Sequence, residues 1–141
     1  SQAHSDNRIM MSDSPHTPVN KPNGAGLSRI FKATRCSFQG FRATWQHEAA
    51  FRQELMLVVI MFPFSFWLAQ TTTQWLLMIM SLLFVIFAEL INSALEALAD
   101  RITLEHDELI GRAKDIGSAG VFIALTQVTV IWGTVLYLKF F

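Results

Sequence analysis

Five polar side chains, Glu89, Asn92, Ser93, Glu96 and Asp100, stand at offsets of 0, 3, 4, 7 and 11, a spacing that stacks them on one face of an α-helix. Leu90, Ile91, Leu95 and Leu98 point in other directions, so the polar residues form a stripe rather than the start of a uniformly wet helix. Glu89 closes a run of fourteen uncharged, mostly apolar residues from Trp75 to Ala88. A carboxylate at that depth in a membrane helix is costly unless something compensates it, and such residues are functional by default. Glu89 is therefore the expected general base of a reaction at a membrane surface. Glu96 follows two turns later, about 10 Å along the axis, and Glu48 occupies the equivalent level ahead of the first apolar run. Two carboxylates at one depth are able to hold a divalent cation. Magnesium favours carboxylate and phosphate oxygens and rarely takes a full protein cage, so such a pair plus a nucleotide suffices. Lys114, with Arg112 before it and Asp115 after it, opens the last apolar segment, where an ammonium group and a helix amino terminus both neutralise phosphate.

Each feature also has a plainer reading. Glu89 would be a snorkelling glutamate at a helix end, Glu48 and Glu96 solvated acids, and Lys114 and Arg112 ordinary cytoplasmic cations. His106 reads as solvated.

The elements that must position these groups follow from the charge gaps. No charged residue lies between Leu55 and Ala88, and only Lys139 lies between Ile116 and Phe141. Leu55–Ala69 alone is too short to cross a hydrocarbon core of about 30 Å, so the first span is expected to begin near His47, with Pro63 kinking it. Gln70–Gln74 makes a polar turn. The second helix starts near Trp75, continues without Gly or Pro to Ile102 and emerges from the lipid. Thr103–Gly111 is a charged connector, and Ile116–Leu138 supplies a third span. Ahead of all three, Leu27, Ile30, Phe31, Phe38, Phe41 and Trp45 form one apolar helical stripe flanked by Arg29, Lys32, Arg35 and Arg42, the pattern of a helix lying in the headgroup layer, with a kink expected at Gly40. Arginines and lysines cluster before the first span and between the second and third, which places the amino terminus inside and Phe141 outside.

The fold class expected is therefore all-α and integral to a membrane, with a surface helix over 27–46 and spans over 47–69, 75–102 and 112–138 within a domain 27–141. Residues 1–26, rich in Pro, Ser and Asn, read as a disordered tail with no apolar signal segment. The composition agrees: 52% of the 141 residues are hydrophobic and 16% charged, with a formal net charge of zero. That balance suits a bilayer and gives no basis for a nucleic-acid partner. A single cysteine, Cys36, excludes an intramolecular disulfide. No G-x-x-x-x-G-K-[ST] loop and no protein-kinase motif is present. The residues alone thus lead to an acidic, metal-binding membrane site.

The segment Glu89-Leu-Ile-Asn-Ser-Ala-Leu-Glu-Ala-Leu-Ala-Asp-Arg-Ile102 closely resembles the signature of the prokaryotic diacylglycerol kinases. Glu48-Ala-Ala-Phe-Arg-Gln-Glu54 and Gly111-Arg-Ala-Lys-Asp115 extend the resemblance in the expected order, from Gly26 to about Phe141. It implies a homotrimer in the bacterial inner membrane whose active sites form between subunits, and MgATP as phosphoryl donor to diacylglycerol. Glu89 would be the base, with Glu48 and Glu96 binding the metal that accompanies ATP, and Asn92 in support. The same resemblance implies Arg29, Glu105, Asp107, Lys114 and Asp115 as nucleotide contacts, and Arg42, Trp45, Glu54, Ser118 and Trp132 beside Glu89 as lipid-side contacts. Cys36 stands where the family often has tyrosine, and Asp107 where histidine is commoner. The expected function is phosphorylation of the primary hydroxyl of diacylglycerol to give phosphatidate. Its rivals are an undecaprenol kinase of the same fold and a non-enzymatic subunit or small ion-coupled transporter.

Overall fold

A computed structural model describes residues 26–103 and 105–141, and among them there are four helices and no strand. They are α1 (Leu27–His47), α2 (Ala49–Leu68), α3 (Thr72–Ile102) and α4 (Glu108–Phe140). The tail expected over 1–26 lies outside the described residues except for Gly26, which is in a turn. The chain divides into two units between Ser37 and Phe38.

The first unit contributes the opening turns of α1, with Leu27, Ile30 and Phe31 all exposed. Thr34 and Ser37 donate their hydroxyls to the carbonyls of Ile30 and Ala33 at 2.8 and 2.9 Å. Such back-bonding satisfies a hydroxyl without water.

The second unit carries the rest of α1 and the three long helices. Gly40 does not interrupt α1, which runs unbroken to His47. All three long helices have the length and hydropathy to cross a membrane. α2 has 20 residues, about 30 Å, whereas α3 with 31 and α4 with 33 reach about 46 and 50 Å. The two longer helices therefore project beyond a hydrocarbon layer of about 30 Å. Three boundaries differ from the sequence expectation. The first span does not continue back to His47, because Glu48 takes an extended conformation (φ −118°, ψ 107°) between α1 and α2. α3 starts at Thr72, since Thr71 caps it by accepting from Gln74 N–H at 3.1 Å while Gln74 Oε1 reaches back to Gln70 N–H at 2.9 Å, a variant of the reciprocal capping box. α4 starts at Glu108 because Asp107 Oδ1 caps it through Ile110 N–H at 3.0 Å.

α3 is the central helix. Leu68, Met78, Leu82, Trp132 and Val135 make the buried apolar cluster where α2, α3 and α4 meet. Two indole N–H groups are satisfied in or near this end of the bundle. Trp132 Nε1 donates to Ser81 Oγ at 3.2 Å, and Trp75 Nε1 to Ser65 Oγ at 3.1 Å. Both serines pass their own protons to main-chain carbonyls, of Met78 and Phe62, at 2.6 Å. At the same end, Lys139 donates to the carbonyl of Trp67 and lies 4.6 Å from the centre of its ring. The outward faces carry Leu57, Val59, Phe66, Leu83, Phe87, Phe122 and Ile123, all exposed. Thr126, Thr129 and Thr134 turn their hydroxyls back onto α4's own carbonyls at 2.7 to 2.9 Å, which suits a surface facing lipid.

Candidate functional site

The antiparallel run of α2 into α3 sets the depth of each acid by simple counting. Glu54 precedes the end of α2 by 14 residues, about 21 Å, and Glu89 follows the start of α3 by 17, about 26 Å. The two fall at one level. The carboxyl groups of Glu54 and Glu89 accordingly face each other closely enough to interact directly. Glu48 and Glu96 form the next level outward, and both act electrostatically on Glu89.

Glu89 is only 5% exposed, so it is a buried acid in a helix otherwise built to sit in lipid. Asn92 and Ser93, one turn on, are buried as well. Three oxygens in this region, Glu54 Oε2, Asn92 Oδ1 and Ser93 Oγ, are buried without a hydrogen-bond partner. Leaving such groups unmet costs about 1 to 3 kcal/mol each, and orphaned polar atoms in a native interior call for an explanation such as catalysis or a bound ion.

α4 closes the other side. A Cβ built on Gly117 would lie 2.5 Å from Asn92 Oδ1 and 3.2 Å from Leu95 Cδ1, so any larger residue here must displace the Asn92 side chain. Further out, Lys114 Nζ pairs with Asp100 Oδ1 at 2.7 Å. The pair is half exposed, and pairs of that kind contribute little stability, so Lys114 is able to exchange its partner for a phosphate. Arg112 pairs with Glu108 within α4 at 3.6 Å on an exposed surface.

The structure thus brings Glu54 and Glu89 together, with Asn92 one turn on, Glu48 and Glu96 at the next level outward and Lys114 on the neighbouring helix. Arg42, Trp45, Glu105, Asp115 and Ser118 are exposed, and Arg29 is exposed in the first unit. The carboxylate of Asp107 is engaged as the α4 cap. Trp132 is 7% exposed and belongs to the helix core through Ser81. Sequence reasoning missed Gly117, whose only signal was a glycine inside an apolar span, a common mark of close helix approach.

Among the described residues, no three His, Cys, Asp or Glu side chains are grouped to hold a metal ion. The donor set near Glu89 is nevertheless all oxygen, with Glu48 and Glu96 ionisable and the amide oxygen of Asn92 unsatisfied. That chemistry fits a hard cation such as magnesium, which borrows most of its ligands from phosphate and water.

Comparison with known proteins shows the family to which the chain belongs. The family model for prokaryotic diacylglycerol kinase matches residues 35–136. A diacylglycerol kinase of Haemophilus influenzae is 46% identical over 112 residues, covering 79% of this chain and 95% of the relative. One from Escherichia coli K12 is 43% identical over 118 residues, covering 84% and 97%, and one from Pseudomonas aeruginosa is 47% identical over 111, covering 79% and 90%. The match takes in the acidic residues of the site, α2, α3 and all but the last four residues of α4, and the chain belongs to the prokaryotic diacylglycerol kinase family.

Proposed function

We propose that this membrane protein transfers the γ-phosphoryl group of ATP to the primary hydroxyl of diacylglycerol. The single observation that carries the reading is Glu89, a buried carboxylate facing Glu54 in a family whose relatives bear that name. Glu89 takes the hydroxyl proton. The alcohol oxygen forms a bond to the γ-phosphorus, the bond to the β–γ bridging oxygen breaks, and ADP leaves. Glu48 and Glu96 would hold magnesium, which when bound supplies charge neutralisation to the polyphosphate. Lys114, released from Asp100, adds a second positive charge, and Asn92 Oδ1, held against Gly117, orients the site. The chain needs no covalent intermediate, because phosphoryl transfer is driven mainly by positioning and electrostatics.

Arg29, Glu105, Asp107 and Asp115 are read as nucleotide contacts, and Arg42, Trp45, Glu54, Ser118 and Trp132 as lipid-side contacts. Most of these are exposed on a single chain, which favours a homotrimer with sites shared between neighbours. Sedimentation in detergent tests that stoichiometry. The orientation in a bacterial inner membrane has the amino terminus in the cytoplasm and the α2–α3 turn outside, supported by the distribution of cations. In a Cys36-free variant, a cysteine at Thr72 should label from outside intact cells and one at Glu108 only after permeabilisation.

The deciding experiment supplies radiolabelled ATP with diacylglycerol, undecaprenol or neither to detergent-purified protein. Label in phosphatidate is expected. Preferential labelling of undecaprenol would move the substrate to a polyprenol and leave the chemistry in place, and no labelled lipid would sink the kinase reading.

A further inference from the structure

α1 stops at His47 and α2 starts at Ala49, so the chain bends on one residue, Glu48. A helix that ends leaves its last carbonyls without partners inside the helix. The carbonyl of Thr44 is taken by Glu48 N–H at 2.9 Å. Those of Trp45 and Gln46 are taken by a side chain from beyond the bend: Arg52 Nη1 donates to Trp45 O at 2.6 Å and to Gln46 O at 3.3 Å. The main-chain N–H of Arg52 donates in turn to Glu48 O at 3.3 Å. The Arg52 side chain therefore holds the end of α1 while its main chain closes the first turn of α2. Its cation also sits at the negative end of the α1 dipole, where positive charge is favoured. The guanidinium spends these bonds on main-chain oxygens rather than on Glu48 or Glu54, its neighbours in sequence, so both carboxylates stay available to the site.

We propose that Arg52 is a positioning residue of the reaction, clamping the elbow between α1 and α2 and so fixing the Glu48 carboxylate at the level of Glu96. The proposal rests on the reading of Glu48 as a metal ligand. Supporting groups behind metal ligands typically alter metal affinity by about 10- to 100-fold when removed. The clamp acts through main-chain geometry, so its effect should pass entirely through Glu48.

The test uses the full chain in detergent with a non-hydrolysable ATP analogue, and manganese as the probe, followed by the EPR signal of the free ion. Nitroxides at Gln39 and Ile60 in a Cys36-free background report the elbow as a distance distribution. Arg52→Gln should weaken manganese binding roughly tenfold and broaden the distribution. Arg52→Lys should recover most of both, since an ammonium still donates to the same carbonyls. Glu48→Gln should weaken binding but keep the distribution narrow, and Arg52→Gln added to it should weaken binding no further. A narrow distribution in Arg52→Gln, or wild-type manganese binding there while Glu48→Gln is impaired, overturns the clamp. Wild-type binding by Glu48→Gln itself would instead sink the metal reading of Glu48, and this role for Arg52 with it.

Discussion

The two ends of the helix bundle are built on opposite principles. At the α2–α3 turn the polar groups are paired: Trp75 with Ser65, Trp132 with Ser81, Thr71 and Gln70 with Gln74, Lys139 with the Trp67 carbonyl. At the other end, Glu54 Oε2, Asn92 Oδ1 and Ser93 Oγ are buried and unpaired, and two carboxyl groups face each other. Low dielectric surroundings strengthen a satisfied hydrogen bond and penalise an unsatisfied one. The first end therefore gains stability from its polar groups, and the second loses it. A sequence that carries such a cost in one place and avoids it in another is using the unsatisfied groups for something else.

The sharpest way to break this contrast is to neutralise the costly end at its centre. Glu89→Gln keeps size and removes the base, so transfer of label from ATP to diacylglycerol should fall by about 10² to 10⁴. Thermal stability in detergent should hold or rise, because a buried acid has become neutral. Near wild-type turnover would remove Glu89 from the base role, and a marked loss of stability would show that the acid pair is structural.

Gly117→Ala probes the same end from α4. The new methyl meets Asn92 Oδ1 at 2.5 Å and Leu95 Cδ1 at 3.2 Å, so Asn92 must swing away or the helices must part. A loss of about 1 to 3 kcal/mol in stability is expected from overpacking, with kcat reduced more than KM for the lipid. Unchanged kcat would mean that the placement of Asn92 does not matter to the reaction.

These contrasts were only partly legible in the sequence. The acid stripe of α3 was, because a single helix fixes the relative directions of Glu89, Asn92 and Glu96 by period alone. The three long helices were, because charge gaps of that length have few other uses. The pairing of Asn92 with Gly117, of Trp132 with Ser81 and of Arg52 with the end of α1 was not. Each depends on the register between two helices, and nothing in either segment taken alone specifies it. The break at Glu48 was hidden for a related reason: no Pro or Gly marks it, and the carbonyls it frees are satisfied by a residue beyond the bend. Period gives faces, whereas packing gives partners.

Trp132→Phe turns to the satisfied end. It removes the donor to Ser81 Oγ at 3.2 Å while keeping most of the apolar bulk. The serine oxygen still donates to the Met78 carbonyl at 2.6 Å, so only one bond is lost. A drop of about 1 kcal/mol in stability is expected, with turnover unchanged and a modest rise in lipid KM from the proposed lipid-side contact. An unchanged lipid KM would leave Trp132 as a packing residue only.

Thr71→Ala should have the smallest effect, and it marks the lower bound of the contrast. Thr71 Oγ1 caps α3 by accepting from Gln74 N–H at 3.1 Å, and Gln74 answers through its own side chain to Gln70 N–H at 2.9 Å. Loss of an N-cap hydroxyl costs about 0.5 to 2 kcal/mol. Here the turn is exposed, so water takes over the freed N–H, and the Gln74 half of the box persists. The expected cost therefore falls near 0.5 kcal/mol, seen as a slight shift in thermal unfolding in detergent. Phosphoryl transfer should not change, because the turn lies about 26 Å of helix from Glu89. If activity fell along with the cap, the turn would be setting the register of α2 against α3, and the two ends of the bundle would be one mechanical unit rather than a stable end and a reactive one.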